Sequence, residues 1–123
     1  MTAQETAREL LDFYGGDASR WTQGAHARTA LGDKLFFDDA DSDGLGGWDH
    51  RRSATCFCLA GAACMIDGAP VLASGPDGFA QLSDRVLDLT GFVATTWNDS
   101  ASTTFADVVA LLEKIAAEPE RAP

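Results

Sequence analysis

"SATCFCLAGAACMI", Ser53–Ile66, decides how this chain is read. It carries no charge and is rich in alanine, cysteine and glycine. Small residues on every side of a helical wheel predict a helix buried all round, with neighbours approaching its backbone closely. Gly61 lies in its middle, where glycine costs roughly 1 kcal/mol of helix propensity relative to alanine. A packing partner is therefore expected at Gly61. Gly68 and Pro70 close the segment.

The flanks supply helices to surround it. Thr2-Ala3-Gln4-Glu5 is a capping-box pattern, with Thr2 as N-cap and Glu5 three residues into the helix. Ala7, Leu10, Leu11 and Tyr14 follow at helical spacing, and Gly15-Gly16 stops the helix. Between Trp21 and Phe37 a small hairpin is favoured over a helix, turning at Gly32-Asp33 and ending in a short strand, Leu35-Phe36-Phe37. Phe79, Leu82, Val86 and Leu89 form an amphipathic stripe, with Asp84, Arg85 and Asp88 on its wet side and Gly91 as its stop. Phe92–Trp97 reads as an apolar connection and Asn98-Asp99-Ser100 as a polar turn. Thr104 and Asp107 make a second capping box before Val108, Leu111, Leu112 and Ile115. The expected fold is mainly α: a single compact domain, residues 1–117, of about four helices around the buried central one. The small hairpin would make it α+β, and residues 118–123 form a solvated tail.

The chain has 123 residues, nineteen acidic and nine basic, for a net charge of −10. That balance disfavours nucleic-acid backbones and anionic membranes as partners, and favours cations and basic proteins. No basic-then-apolar leader is visible, and Ser53–Ile66 is too short to cross a bilayer, so a cytoplasmic location is expected. Cys56 and Cys58 are two apart and the cysteine count is odd, which predicts free thiols rather than a disulfide framework.

Four stretches carry possible chemistry. In "DDADSDGLGGWDH", Asp38–His50, the residues Asp39, Asp41, Asp43 and Gly44 begin like a calcium-binding EF-hand loop. Position 8 is then Gly46 and position 12 is His50, so the ligands that usually complete the site are missing. An acidic loop rich in Asx turns is the simpler reading, with calcium as its one cofactor possibility. In "TCFCLAGAAC", Cys56 is placed near a helix start, where the dipole favours a thiolate, and each cysteine also reads as a small buried apolar residue. "TWNDS", Trp97–Ser100, is either a backbone-binding turn or a site, with Asp99 as acid/base, Asn98 beside it and Trp97 as a wall. In "RWTQGAHA", Trp21 is a core anchor or a ligand wall, and His26 a half-buried residue or a base.

These motifs fall in a recurring order. W-T-Q-G-A at Trp21–Ala25 precedes C-L-A-G-A at Cys58–Ala62, and W-N-D at Trp97–Asp99 precedes a threonine-capped last helix. The order resembles a family of small uncharacterised actinobacterial and phage proteins with the pattern W-x-x-G, C-x-x-G-A, W-N-D, from roughly Leu10 to Ala117. The resemblance implies no activity. It implies that Trp21, Gly24, Cys58, Gly61, Trp97, Asn98 and Asp99 belong to a shared pattern. It also implies that Cys56 lies outside the pattern and that residues 38–50 are an insertion particular to this chain, which moves the candidate thiol to Cys58.

Three functional readings result. The first is a small accessory or binding domain acting through a partner protein or a small molecule, with self-association as one form. The second is a small pathway enzyme using Asp99 with Cys58 or His26 beside a tryptophan-lined pocket. The third is a calcium-modulated module built on Asp39, Asp41 and Asp43.

Overall fold

A computed structural model describes residues 2–35, 53–67 and 77–119. Among these, five α-helices accompany a three-stranded antiparallel sheet, which makes the fold α+β.

Helix α1, Ala3–Tyr14, starts where the capping box places it. The Thr2 hydroxyl accepts from Glu5 N at 3.1 Å, and the Glu5 carboxylate accepts from Thr2 N at 3.3 Å. Gly15 stops the helix in the left-handed region, at φ 58°, with its N–H on the Leu11 carbonyl. Thr6, Ala7, Leu10 and Tyr14 form the buried stripe. After a 3₁₀ turn, Ala18–Arg20, strand β1, Ala27–Thr29, pairs with β2, Lys34–Leu35, in the expected hairpin. The turn lies earlier than Gly32-Asp33. Gly32 N donates to Thr29 O at 2.9 Å and Thr29 N to Asp33 O at 3.0 Å, so Ala30-Leu31-Gly32 is a three-residue loop. Gly32, at φ 89°, supplies the left-handed residue that such a loop needs.

The central segment departs from the expectation. Its first part is strand β3, Ala54–Phe57, and only Leu59–Asp67 is helix, α2. β3 takes the free edge of β1, giving the order β2-β1-β3. A short uncharged apolar run has no periodicity to separate strand from helix. Here Thr55 and Phe57 suit a pleated strand, and the hairpin offers an unpaired ladder. Cys56 is therefore half-buried on a strand, not near a helix start. The helix that remains fits the expectation of burial, with Leu59, Ala60, Ala62 and Ala63 all in the core.

Helix α3, Asp77–Thr90, buries Phe79, Leu82 and Val86 and ends at Gly91, φ 84°. The supposed connection after it is a fifth helix, the single-turn α4, Ala94–Asn98. Helix α5, Phe105–Ala116, carries the second capping box and buries Val108, Leu112 and Ile115. α1 packs against α5, α3 and α2, while α4 bridges α2 and α3. Glu118, the head of the segment read as a tail, holds Arg85 through both carboxylate oxygens, with Arg85 Nε 2.7 Å from Oε1.

Candidate functional site

The three motifs meet at one side chain. Asn98 ends α4 and is fully buried, at 0% exposure. Its Oδ1 accepts from Trp21 Nε1 at 2.8 Å and from Leu59 N at 3.2 Å. Its Nδ2 donates to Thr22 O at 3.1 Å and to Asp99 Oδ1 at 2.9 Å. Two acceptor positions and two donors are the whole capacity of an amide, so Asn98 is saturated. Both groups on Oδ1 are donors only, which fixes the orientation of the amide. One of them is the first N–H of α2, so Asn98 satisfies an orphan donor at that helix end from across the fold.

The neighbours tighten the same knot. Asp99 Oδ1 also accepts from Gly24 N, at 2.9 Å. Gln23 Nε2 reaches the carbonyls of Asn98 and Ser100, each at 2.8 Å, and Thr103 at 3.2 Å. Cys58 stands just before α2, where its sulfur accepts from Gly61 N at 3.4 Å, the place usually taken by a serine or aspartate cap. Cys58 N donates to the His26 carbonyl at 3.0 Å. Gly61 faces that same peptide, and a Cβ added there would lie 2.8 Å from the His26 carbonyl carbon. This is the close approach that a glycine inside an apolar helix called for.

The electrostatics follow from burial. Cys58 is 5% exposed. Desolvation, with a smaller push from the Asp99 charge, raises its thiol to about 11, against opposing hydrogen bonds from Gly61 and Ala60. A thiol held protonated in this way is the opposite of an activated nucleophile. Tyr14 is pushed well up by burial as well, and its hydroxyl donates to Phe57 O at 2.9 Å.

Trp21, Asn98, Asp99, Cys58 and the backbone of His26 are thus drawn together by the fold. His26 as a residue is half-buried. Trp97 and Trp21 take different environments. The Trp21 ring lies 6.2 Å from Phe105, while Trp97 borders an open groove of about 430 Å³ with Ser102, Thr103, Asp107, Leu111 and Lys114. Asp39, Asp41 and Asp43 lie outside the described residues, as do His50 and the rest of the acidic loop. Among the described residues, no group of three acidic, histidine or cysteine side chains could hold a metal ion.

A second feature had no place in the motif reading. Where α3 turns into α4, Phe92 is 54% exposed, Val93 43% and Leu87 42%. The corner is held firmly. Ala94 is buried with its N–H on Ser83 Oγ at 3.0 Å, and Phe92 N donates to Thr90 Oγ1 at 3.2 Å. The signal available in the sequence was Phe-Val directly after a helix-stopping glycine, with no polar alternation.

Among the described residues, no helix is long and apolar enough to cross a membrane. Residues 4–118 match the model of a family of unknown function, DUF6197, and the chain belongs to that family. No curated protein and no solved structure matches it.

Proposed function

We propose that this member of a family of unknown function is a small accessory or binding domain that works through a partner protein. The observation that carries this reading is the exposed apolar corner of Leu87, Phe92 and Val93 on an otherwise well-capped scaffold. Exposed aromatic and aliphatic side chains on a rigid frame are what a contact surface needs, because little conformational freedom is lost on binding. The saturated Asn98 and the protonated Cys58 support the same reading, since they serve the fold. The acidic balance supports a cytoplasmic protein partner over nucleic acid or an anionic membrane. The meeting of W-x-x-G, C-x-x-G-A and W-N-D at Asn98 supports their being one fold-defining unit within a single domain over residues 1–117, and the resemblance carried by that pattern is the support for an actinobacterial or phage origin.

The test is co-purification from a lysate of the source organism, followed by light scattering. Wild-type chain is compared with the double variant Phe92→Ser/Val93→Ser, both with unchanged melting temperature. A stoichiometric complex formed by the wild type and lost in the variant is expected. The same complex with both chains would remove the corner from the proposal. Turnover found in a substrate screen and abolished by Asp99→Asn would replace it with the enzyme reading.

A further inference from the structure

We infer that the α3–α4 corner receives a basic amphipathic segment of the partner protein. Its apolar side would rest on Leu87, Phe92 and Val93, and its lysines or arginines on the acidic end of α3. This rests on the partner reading above and specifies the partner's chemistry.

The charge around the corner is one-sided. Asp84, Leu87, Asp88 and Gly91 follow at i, i+3, i+4 and i+7, so they share one face of α3. That face combines an exposed leucine with two acids. The C-terminal end of a helix carries partial negative charge, which a basic side chain in the last turn ordinarily offsets. α5 has Lys114 there, whereas α3 has no basic residue in its last turn and instead places Asp88 in it. The cation on α3 itself, Arg85, is already committed. Its Nε and Nη2 hold Glu118, and its Nη1 reaches Asp88 at 3.5 Å. Hydrogen bonding to Glu118, above all, raises the Arg85 pKa, in keeping with this pairing.

Space for basic side chains lies beside these acids. A groove of about 450 Å³ is lined by Gln81, Asp84, Arg85, Asp88 and Glu118, among others. A segment lying with its apolar residues over Leu87 and Phe92 can extend long cationic side chains along it. The alternatives fit less well. A second copy of the chain brings its own net charge of −10 and the same acidic rim to the contact. An anionic membrane is repelled for the same reason.

The experiment uses isotope-labelled full-length chain and two synthetic amphipathic helical peptides, one of leucine and lysine and one of leucine and glutamate. The lysine peptide is expected to shift the backbone amides of residues 84–94. Its affinity should fall roughly tenfold in Phe92→Ser/Val93→Ser and in Asp84→Asn/Asp88→Asn, and fall again with added salt. The glutamate peptide should leave the spectrum unchanged. Shifts spread over the whole acidic surface, or equal binding by the charge variants, would overturn the inference. So would a dimer of the free chain that Phe92→Ser abolishes. The basic segment and the partner surface can fail independently. If the partner complex is lost in Phe92→Ser but the lysine peptide cannot compete for it, the basic segment is wrong and the partner reading stands.

Discussion

Helix α4 is a single turn, and its two ends invert the usual rule. Its C-terminal end places an amide, Asn98, in the core at 0% exposure, while its N-terminal flank leaves Phe92 and Val93 in solvent. The buried end is tolerated because each donor and acceptor of Asn98 has a partner. Among the described residues the exposed end has no such compensation, since Phe92 is 54% exposed. Chemically rich residues here thus build structure, and plain apolar ones are offered outward. Polarity alone is a poor guide to where this protein acts.

That contrast can be broken at several points. The largest effect is expected for Gly61→Ala, which sets a methyl group against the His26 peptide. The obstacle is backbone and cannot rotate away, so a loss of roughly 3–5 kcal/mol, or failure to fold, should appear in urea denaturation. Asn98→Ala should cost roughly 3 kcal/mol, because it strands the half-buried Trp21 donor and the buried Leu59 donor. A mild loss there would mean that water replaces the amide and that the knot is ordinary.

The Cys58 thiol adds a pH signature. Its folded value of about 11 lies above its ordinary value of 9.0, so the folded state resists losing the proton that the unfolded state gives up. The stability it contributes is complete below pH 9 and is lost as pH rises toward 11, by roughly 2–3 kcal/mol in all. Denaturation midpoints across that interval, in wild type and Cys58→Ala, check the difference. At pH 8 a thiol reagent should modify native Cys58 only at the rate of unfolding. Thr104→Ala removes the cap of α5 and should cost about 1 kcal/mol. Phe92→Ser should change stability least, within about 0.5 kcal/mol, while having the largest effect on partner binding. A strongly destabilised Phe92→Ser would show that the corner is core after all, and would erase the distinction between the two ends.

The parts legible in the sequence were those set by neighbours along the chain. The capping boxes at Thr2 and Thr104, the stops at Gly15 and Gly91 and the stripes of α1, α3 and α5 all depend on residues a few positions apart. The hairpin was legible too, although its turn fell at Ala30-Leu31-Gly32. The strand within Ser53–Ile66 is not legible locally, because the edge of β1, more than twenty residues away, decides that Ala54–Phe57 is a strand. Trp21, Cys58, Gly61, Asn98 and Asp99 stand out in the sequence, as fold-building or as site residues, but their partners do not. Trp21, Leu59 and Asn98 reveal their bonds only when brought together from separations of 39 and 77 residues. The single-turn α4 was hidden for a related reason. A helix that short has no stability of its own and exists through its tertiary contacts.

The packing of α1 against α5 also sets an order of events during synthesis. Helix α1 has its full set of neighbours only once α5 is present, and Arg8 then reaches the Ala116 carbonyl at 3.0 Å. On the ribosome, α1 must wait for α5 to emerge, with part of its apolar stripe uncovered until then. Cooperative folding is therefore a late step for this protein, and a chain stalled before Phe105 is one that cellular quality control should recognise as unfinished.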